Sequence, residues 1–409
     1  MDRTEAGAFS AEEAKRHRRN FCIVQFLMGL FIASTLYASA YLKELGLTPG
    51  QVGLFTSIRS VVGVFIPIVW GMACDKFHTV KKVFFVCLMG VVILFPIVPL
   101  FEHVPFGALT MAPVMTVIVR FFYRPLDYMF SSWMVQMEKR VHNVEYGKMR
   151  IYASIATAIA SMGFTYLIAK FSTVRVGYYG GGILALFVVF AMQKLPDVTS
   201  GTAGHATFKD LKLGRLARDP LLVTMLLVMT CANIPSSSTS VYIPYLLDEI
   251  GAHMSTLGAF NTVRSLCGIP LMYLSGRIVR RYGARRVLTF SIIVVGLGEF
   301  AFSQATSAAY VLGIGLLIGF NSGLLTVSQV LYAQELAPPE LRSTVQMLNS
   351  TTLALATIIA STLGGNIVGT AGVRTYYQVT CAIVLVAVVL FMLATRYFVR
   401  KRQNALATQ

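Results

Sequence analysis

The sequence predicts an all-α membrane protein with twelve transmembrane helices in two pseudo-symmetric six-helix bundles. Its composition, the number of its long apolar stretches and an internal repeat all favour this fold. Of the 409 residues, 56% are hydrophobic and 13% are charged, and the mean hydropathy is +0.67. A soluble domain carries about a quarter charged residues. Because one aqueous core cannot hide so much apolar surface, part of the solvent must be lipid.

Twelve apolar stretches reach the roughly 20 residues that a membrane-spanning helix needs. Those of the first half lie near 20–42, 50–73, 80–100, 108–136, 150–170 and 176–194. Those of the second half lie near 220–247, 255–276, 286–305, 309–333, 344–369 and 375–397. The expected domains are an N-terminal bundle over 1–195, a cytoplasmic linker over 196–219 and a C-terminal bundle over 220–409.

The net charge of +17 follows from the placement of the basic residues. Cytoplasmic loops of membrane proteins retain Lys and Arg, and most of the 35 such residues lie in the N-terminal segment and in alternate loops. We therefore expect a multi-pass protein of the cell's inner or plasma membrane with both termini in the cytoplasm. This pattern excludes the nucleic-acid partner that so basic a soluble chain would suggest. The predicted outer loops carry Lys43, Lys170, Arg175 and Arg374.

An internal repeat relates the two halves. An offset of 205 residues aligns stretches 1 and 2 with stretches 7 and 8, and charged and glycine positions stay in register. Identical pairs include Tyr37/Tyr242, Glu44/Glu249, Gly46/Gly251, Gly53/Gly258, Arg59/Arg264 and Gly71/Gly276. A second match, at an offset of 200, pairs 159–161 with 359–361. Two such parallel repeats would support rocking of one half against the other about a central site.

Two motifs carry a resemblance to a known family. Gly71 with Asp75 and Lys76 follows stretch 2, and Gly276 with Arg280 follows stretch 8. Both resemble the cytoplasmic signature of the major facilitator superfamily, in which a glycine precedes an acid, or its replacement, and a basic cluster. The resemblance implies the fold of those transporters and a charge-relay latch that closes the inner side, made by Asp75, Lys76 and Arg280. The two glycines would allow helices to approach closely.

A narrower resemblance concerns stretches 4 and 5. The run 125–127, followed by 146–150 and Ser154, is similar to the branch with the phenylpropionate and lactose permeases, although Ala153 stands where that branch usually has glycine. The resemblance implies a secondary transporter. Nothing in the sequence resembles a nucleophile–base pair, a metal cluster or a phosphate-binding glycine loop. We therefore expect no enzyme activity, catalytic residue, cofactor or metal.

Charged side chains inside the apolar stretches are the main functional candidates, because each costs about 2.5–3.5 kcal/mol at a helix centre even on a lenient scale. They are Arg59, Arg120, Arg124, Asp127, Arg264 and Glu299. In the N-terminal half the arginines outnumber the acids, and we expect the surplus to face the central cavity and attract a carboxylate. In the C-terminal half, one arginine balances Glu299. The alternative that Arg59 and Arg264 only fasten helix ends within their own halves stays open.

Proton coupling would depend on carboxyl groups, since no histidine lies deep in an apolar stretch. Burial disfavours the charged form of a carboxyl group, and a neighbouring arginine favours it. Asp127 or Glu299 could therefore bind a proton in one environment and release it in the other.

Polar residues in stretch 7, from Asn233 through the hydroxyl-rich run 236–240, predict a broken helix that lines a water-filled cavity. Packing of helices through small residues is the alternative. The complete set of expected substrate-binding residues is Tyr37, Arg59, Arg120, Arg124, Asn233, Tyr242, Arg264 and Asn321.

The favoured function is proton-coupled symport of a small organic solute, preferably an organic or aromatic carboxylate, by a monomer that works by alternating access. Its expected partners are the small-molecule substrate, protons and the lipid bilayer. A neutral sugar or nucleoside importer is one alternative. A drug or metabolite efflux antiporter is another, which is disfavoured because stretch 5 lacks the Gly-Pro pair of many family antiporters.

Overall fold

The computed structural model describes residues 11–107, 109–138, 146–197, 219–337 and 342–407. The first half contains the helices α1 (Ala11–Thr35), α2 (Ala38–Glu44), α3 (Pro49–Phe77), α4 (Val80–Ile97), α5 (Ala112–Glu138), α6 (Tyr146–Phe171) and α7 (Val176–Met192). The second half contains α8 (Pro220–Glu249), α9 (Ser255–Tyr282), α10 (Ala284–Ser303), α11 (Ala308–Leu336), α12 (Arg342–Ala371) and α13 (Val373–Ala407). With α1 and α2 as one interrupted helix, the predicted twelve-helix order is confirmed.

The first and the last helix extend well beyond the apolar stretches that predicted them. The first begins at Ala11 and not near residue 20, and the last continues to Ala407 and not to residue 397. Hydropathy marks only the apolar part of a helix, whereas charged residues such as Lys, Arg and Glu also favour helix and can prolong it. The sequence analysis also missed the 3-10 helix Val98–His103 and the antiparallel hairpin of β1 (Pro105–Phe106) and β2 (Leu109–Thr110).

Nine helical segments of the described chain are long and apolar enough to cross a membrane, and α7 is a shorter apolar helix. The chain is therefore a multi-pass membrane protein. Neither α5 nor α9 is among the nine. These two helices carry Arg120, Arg124, Asp127 and Arg264, so a hydropathy test passes over the helices that hold most of the embedded charge.

The chain divides into two compact units. Of the described residues, the first unit holds those up to Leu45 and from Val61 to Asp197, and the second holds Gly46–Ser60 and those from Asp219 onward. The predicted linker over 196–219 lies almost entirely outside the described residues. The start of α3 thus belongs to the second unit, whereas the sequence analysis placed it in the N-terminal bundle over 1–195.

The contact between the start of α3 and α12 explains this assignment. A Cβ at Gly53 would collide with the backbone of Ser361, and one at Gly365 would lie 2.9 Å from the Cα of Gly50. The hydroxyl of Ser57 lies 2.9 Å from that of Thr362. Glycines let the two backbones approach closely enough for such bonds, which is how small residues hold membrane helices together.

In the second unit, α9 and α11 pack through three glycines spaced four residues apart. A Cβ at Gly315 would meet the ring of Phe260 at 2.9 Å, one at Gly319 the carbonyl oxygen of Arg264 at 2.6 Å, and one at Gly323 the backbone nitrogen of Met272 at 2.5 Å. This spacing places the glycines on one face of α11. They form a small-residue seam along which α11 lies close to the backbone of α9 and to the ring of Phe260.

The motif glycines Gly71 and Gly276 make no such approach to a described residue, so close packing there stays a prediction. Within the part of the chain that is described, a Cβ at Gly71 would have nothing within 4 Å, and one at Gly276 would meet only the Nη1 atom of Arg280, at 3.8 Å. The seam glycines of α11, which the sequence analysis did not single out, take that role.

We expect Gly319→Ala to destabilise the protein by about 1–3 kcal/mol, because its methyl group must displace the backbone of α9. The matched control Gly71→Ala adds the same methyl group where no described atom lies within 4 Å, and it should leave the protein at least as stable as the wild type, because alanine favours helix more than glycine does. Thermal unfolding of the purified variants, followed by a thiol- or tryptophan-based assay, measures the difference. Equal melting temperatures for the two variants would contradict the seam.

The expected break in α8 is absent, since this helix is continuous from Pro220 to Glu249 despite two internal prolines. Its hydroxyl groups bond to neighbours instead. Ser237 lies 2.8 Å from the hydroxyl of Thr357 on α12, and Ser238 lies 2.8 Å from the hydroxyl of Tyr376 on α13. The hydroxyl-rich run therefore links α8 to two other helices of its unit.

Candidate functional site

The two arginines of α5 each donate a hydrogen bond to a tyrosine of the same helix. Nη1 of Arg120 lies 2.8 Å from the hydroxyl of Tyr123, and Nη2 of Arg124 lies 2.8 Å from that of Tyr128. The guanidinium carbon of Arg124 also lies 4.9 Å from the centre of the Tyr128 ring, a cation–π distance. We call these four residues the arginine–tyrosine pairs of α5.

Asp127 is half-buried and lies between Arg124 and Tyr128 in sequence, but it makes no hydrogen bond or ion pair with any described residue. The neighbouring arginine that was expected to favour the charged form of this carboxyl group therefore forms no ion pair with it. A helix places residues three and four positions apart within reach of one another, so Arg124 can reach either Asp127 or Tyr128. Arg120, in contrast, can reach Tyr123 but lies seven positions from Asp127.

Aromatic rings lie beside the first arginine–tyrosine pair, that of Arg120 and Tyr123. The ring of Tyr123 stands edge-on to those of Phe31 and Phe95, with centroid distances of 6.4 and 6.1 Å. On the neighbouring helix α3, Trp70 donates through Nε1 to the carbonyl oxygen of Phe121, 3.1 Å away. Donors beside ring faces can hold a polar organic molecule by hydrogen bonds and stacking.

Glu299 of α10 forms a second polar site, the Glu299 site, in the other unit. Its side chain is 1% exposed. The hydroxyl of Thr380 on α13 donates to Oε2 at 2.5 Å, and Thr239 of α8 provides a second hydroxyl. The other titratable groups near the carboxyl are Tyr376, Tyr377 and Cys381, all on α13.

Charge balance in the second half does not take the form of an ion pair. Among the described residues, Arg264 makes no hydrogen bond or ion pair, with Glu299 or with any other group. Its backbone packs on Gly319 instead. Arg59, its repeat equivalent, is 6% exposed. The interpretation that Arg264 fastens a helix end therefore has no described contact to support it.

Tyr37 and Tyr242, both expected to bind substrate, are helix-packing residues. The Tyr37 hydroxyl donates to the carbonyl of Ser161 at 3.4 Å, and the Tyr242 hydroxyl donates to that of Ser361 at 2.7 Å. Their exposed fractions are 1% and 0%. Each tyrosine is thus buried in protein and its hydroxyl already has a hydrogen-bond partner. The equivalent hydrogen bond occurs in both copies of the repeat.

The two asparagines of the expected binding set also connect helices. Nδ2 of Asn233 donates to the hydroxyl of Thr352 at 3.1 Å, and Nδ2 of Asn321 donates to the carbonyl of Ser291 at 2.9 Å. Both are buried. A buried amide needs such partners, since leaving one unsatisfied costs about 1–3 kcal/mol.

The proposed cytoplasmic latch is only partly described. The side chain of Asp75 lies outside the described part of the structure. Lys76 and Arg280 are exposed and form no ion pair with a described residue. The latch therefore remains a prediction.

An ion-pair arrangement at the predicted outer end of each unit was not foreseen. In the first unit, Nη2 of Arg175 lies 2.7 Å from Oε2 of Glu102, and Tyr41 donates to Oε1 of the same carboxylate at 2.9 Å. In the second, Nε of Arg374 lies 2.6 Å from Glu249. The repeat pair Glu44/Glu249 was the available signal, and Glu44 accepts from the backbone nitrogen of Val174 at 2.6 Å.

A multi-pass helical protein that keeps arginine–tyrosine pairs and a buried carboxyl group inside its helices has the features of a secondary transporter. The chain belongs to the MFS_1 like family, whose model matches residues 22–379. It is therefore a transporter of the major facilitator type and not an enzyme, which confirms the resemblance drawn from the sequence.

Three comparisons indicate the range of this family. The chain is 24% identical to the maltose permease of Geobacillus stearothermophilus over 317 residues, which is 76% of this chain and 77% of that protein. It is 26% identical to sugar efflux transporter B of Salmonella typhimurium over 395 residues, or 91% and 94% of the two chains. The crystal structure of the nucleoside transporter NupG matches 93% of this chain and 99% of its own with a TM-score of 0.78 at 16% identity, which shows the fold.

Proposed function

We propose that this transporter moves a small hydroxylated solute, a sugar or a nucleoside, in symport with protons by alternating access. The observation that carries the proposal is that both arginines of α5 already donate to tyrosine hydroxyls. Relatives named for maltose and sugar efflux, and a fold neighbour named for nucleosides, favour the same solute class. The proposal thus moves from the carboxylate favoured by the sequence to its first alternative.

The arginine–tyrosine pairs suit hydroxyl groups for a simple reason. A phenol oxygen that accepts a hydrogen bond from arginine still has its own hydrogen to donate. Each pair can therefore offer guanidinium and phenol donors beside an aromatic face. Tyr128 is 45% exposed, which leaves its hydroxyl and ring accessible. Sugars and nucleosides supply both acceptors and a face that stacks.

An organic carboxylate is the second candidate, and one observation favours it. Nε of Arg124 is buried without a hydrogen-bond partner among the described residues, and the partner of this arginine is a neutral phenol. A bound carboxylate could accept from Nε and a terminal nitrogen together, in the forked geometry that arginine favours.

Proton coupling is assigned to the Glu299 site. A charge on this carboxyl group is costly, because the side chain is 1% exposed and no described cation lies beside it. Such a group can bind a proton in one state of the transport cycle and release it in another state that admits water. Asp127 is the weaker candidate, since it is half-buried and has no described partner.

We further propose a plasma or inner membrane location, cytoplasmic termini and a monomer. The Lys and Arg distribution supports the orientation. In this orientation Asp75, Lys76 and Arg280 face the cytoplasm, where the proposed latch would close.

Uptake by proteoliposomes under an imposed pH gradient tests the substrate class. Labelled maltose, a monosaccharide, a nucleoside and an aromatic carboxylate are each offered to the wild type. We expect uptake of a sugar or of the nucleoside that the carboxylate does not inhibit. Carboxylate uptake that sugars and nucleosides leave unchanged would replace the first proposal by the second. Loading the vesicles and reversing the gradient gives the direction.

Arg124→Ala is expected to lower substrate uptake at least about tenfold, because it removes a guanidinium donor and leaves the Tyr128 hydroxyl without its hydrogen bond from arginine. The matched control is Arg277→Ala, which removes an exposed arginine whose guanidinium carbon lies 6.0 Å from the ring of Tyr273, a tyrosine of its own helix. That control should keep wild-type uptake. Unchanged uptake and apparent affinity in Arg124→Ala would remove this arginine from the binding site.

A further inference from the structure

Thr380 stands between the carboxyl group of Glu299 and the backbone of its own helix. Its hydroxyl oxygen lies 2.5 Å from Oε2 of Glu299, 3.0 Å from the carbonyl oxygen of Tyr377 and 3.2 Å from that of Tyr376. All of these atoms are buried, and Thr380 itself is 1% exposed. Three acceptor oxygens thus surround one hydroxyl group.

A hydroxyl group has one hydrogen to donate, so these contacts cannot all be satisfied at once. When Glu299 is a carboxylate, Thr380 donates to it, because a hydrogen bond to a charged group is worth about twice a neutral one. When Glu299 is protonated, its O–H donates to Thr380, and the threonine hydrogen is then available to the carbonyl of Tyr377. The same oxygen positions accommodate both arrangements.

We infer that Thr380 is the positioning residue that couples the proton on Glu299 to the geometry of α13. Loss of the proton withdraws the threonine hydrogen from the α13 backbone, and gain of the proton returns it. A threonine that bonds to a carbonyl three or four residues earlier bends its helix. The inference rests on the proposed proton coupling at Glu299 and adds the residue that transmits it.

The segment of α13 that would respond contacts several helices of its unit. The Tyr376 hydroxyl lies 2.8 Å from that of Ser238 on α8 and donates to the carbonyl of Ala360 on α12 at 2.9 Å. The Tyr377 ring stacks on Phe302 of α10, with centroids 5.1 Å apart. A small bend at this point therefore changes contacts with α8, α10 and α12 together.

Two hydroxyl groups, those of Thr380 on α13 and Thr239 on α8, are the hydrogen-bond partners of the Glu299 carboxyl group. The other groups around it on α13 are Tyr376, Tyr377 and Cys381, which are neutral at ordinary pH. On α9, Arg264 makes no ion pair with a described residue, and among the described side chains of α11 and α12 no charged group interacts with the carboxyl. No described cation competes with Thr380 for the carboxylate.

The test compares three threonine variants in lipid vesicles. Thr380→Val keeps the shape and removes the hydroxyl, and Thr380→Ser restores it. Thr395→Val is the matched control, since Thr395 is a buried threonine of the same helix that donates to the carbonyl of Phe391 at 2.7 Å and makes no hydrogen bond with a described acid. Two readouts are used: the pH profile of substrate uptake and the pH titration of the carboxyl C=O stretch by infrared difference spectroscopy.

In Thr380→Val, we expect both midpoints to move to higher pH by about one unit, a tenfold change in proton affinity. Removal of the Thr380 hydroxyl destabilises the ionised form of Glu299 more than its protonated form, so Glu299 holds its proton more tightly. Thr380→Ser and Thr395→Val should keep the wild-type midpoint. A spectrum of Glu299→Gln identifies the band.

Equal midpoints in Thr380→Val and the wild type would overturn the inference. A midpoint in Thr380→Ser displaced as far as in the valine variant would also overturn it, because packing and not the hydroxyl would then be responsible. The infrared titration needs no substrate. Wild-type vesicles that transport no solute of the panel would therefore end the proposed function, while the spectra still decide the role of Thr380.

Discussion

Glu299→Gln is expected to abolish accumulation of substrate against a gradient while leaving exchange of substrate across the membrane intact. Glutamine keeps the size of the side chain and can accept the bond from Thr380, but it cannot take up or release a proton. With one proton per substrate, the wild type can accumulate substrate about tenfold for each unit of imposed pH difference. The variant should reach only equal concentrations on the two sides.

Accumulation and counterflow in the same proteoliposomes separate these two activities. Asp127→Asn is the matched control, since it removes an embedded carboxyl group that has no described hydrogen bond or ion pair. We expect it to accumulate substrate as the wild type does. Normal accumulation in Glu299→Gln together with its loss in Asp127→Asn would transfer proton coupling to Asp127.

The sequence predicted the number and order of the helices because a membrane-spanning helix must be long and apolar, a property that is local in the chain. The register of the internal repeat also predicted correctly that Tyr37 and Tyr242 are structurally equivalent. Tyr37 and Tyr242, aligned by sequence, make the same bond to Ser161 and Ser361. The substrate-binding role of these tyrosines stays a prediction, since alignment shows that two residues are equivalent and not what they contact during transport.

The partners of the embedded charges could not be predicted in this way. Along α5, the spacing permits Arg124 to reach either Tyr128 or Asp127, and only the side-chain geometry decides between them. Glu299 depends on Thr380, which lies 81 residues further along the chain. Hydropathy and motif spacing carry no information about such a pair, since it forms only when α10 and α13 pack together.

The ion pair at the end of the first unit joins a buried carboxylate to a partly exposed arginine, so loss of the arginine would leave a buried charge without its partner. The side chain of Glu102 is 4% exposed and is held by Arg175 and Tyr41. In the second unit, the side chains of Arg374 and Glu249 are 37% and 41% exposed. Exposed pairs contribute about 0–1 kcal/mol, whereas removing one partner of a buried pair costs about 3–5 kcal/mol. The two arginines therefore provide a comparison within one molecule.

Arg175→Ala should lower the stability of the protein by about 1–3 kcal/mol. This is less than for a fully buried pair, because the Arg175 side chain is itself 45% exposed and water already screens part of its attraction to Glu102. Arg374→Ala, which also loses bonds to the carbonyls of Ser303 and Ala305, should cost less. Thermal unfolding in detergent measures both variants. The decisive comparison is Arg175→Ala with Glu102→Gln added: removing the stranded charge should recover most of the lost stability. If the double variant is no more stable than Arg175→Ala, the loss comes from packing of the arginine stem and not from the buried carboxylate.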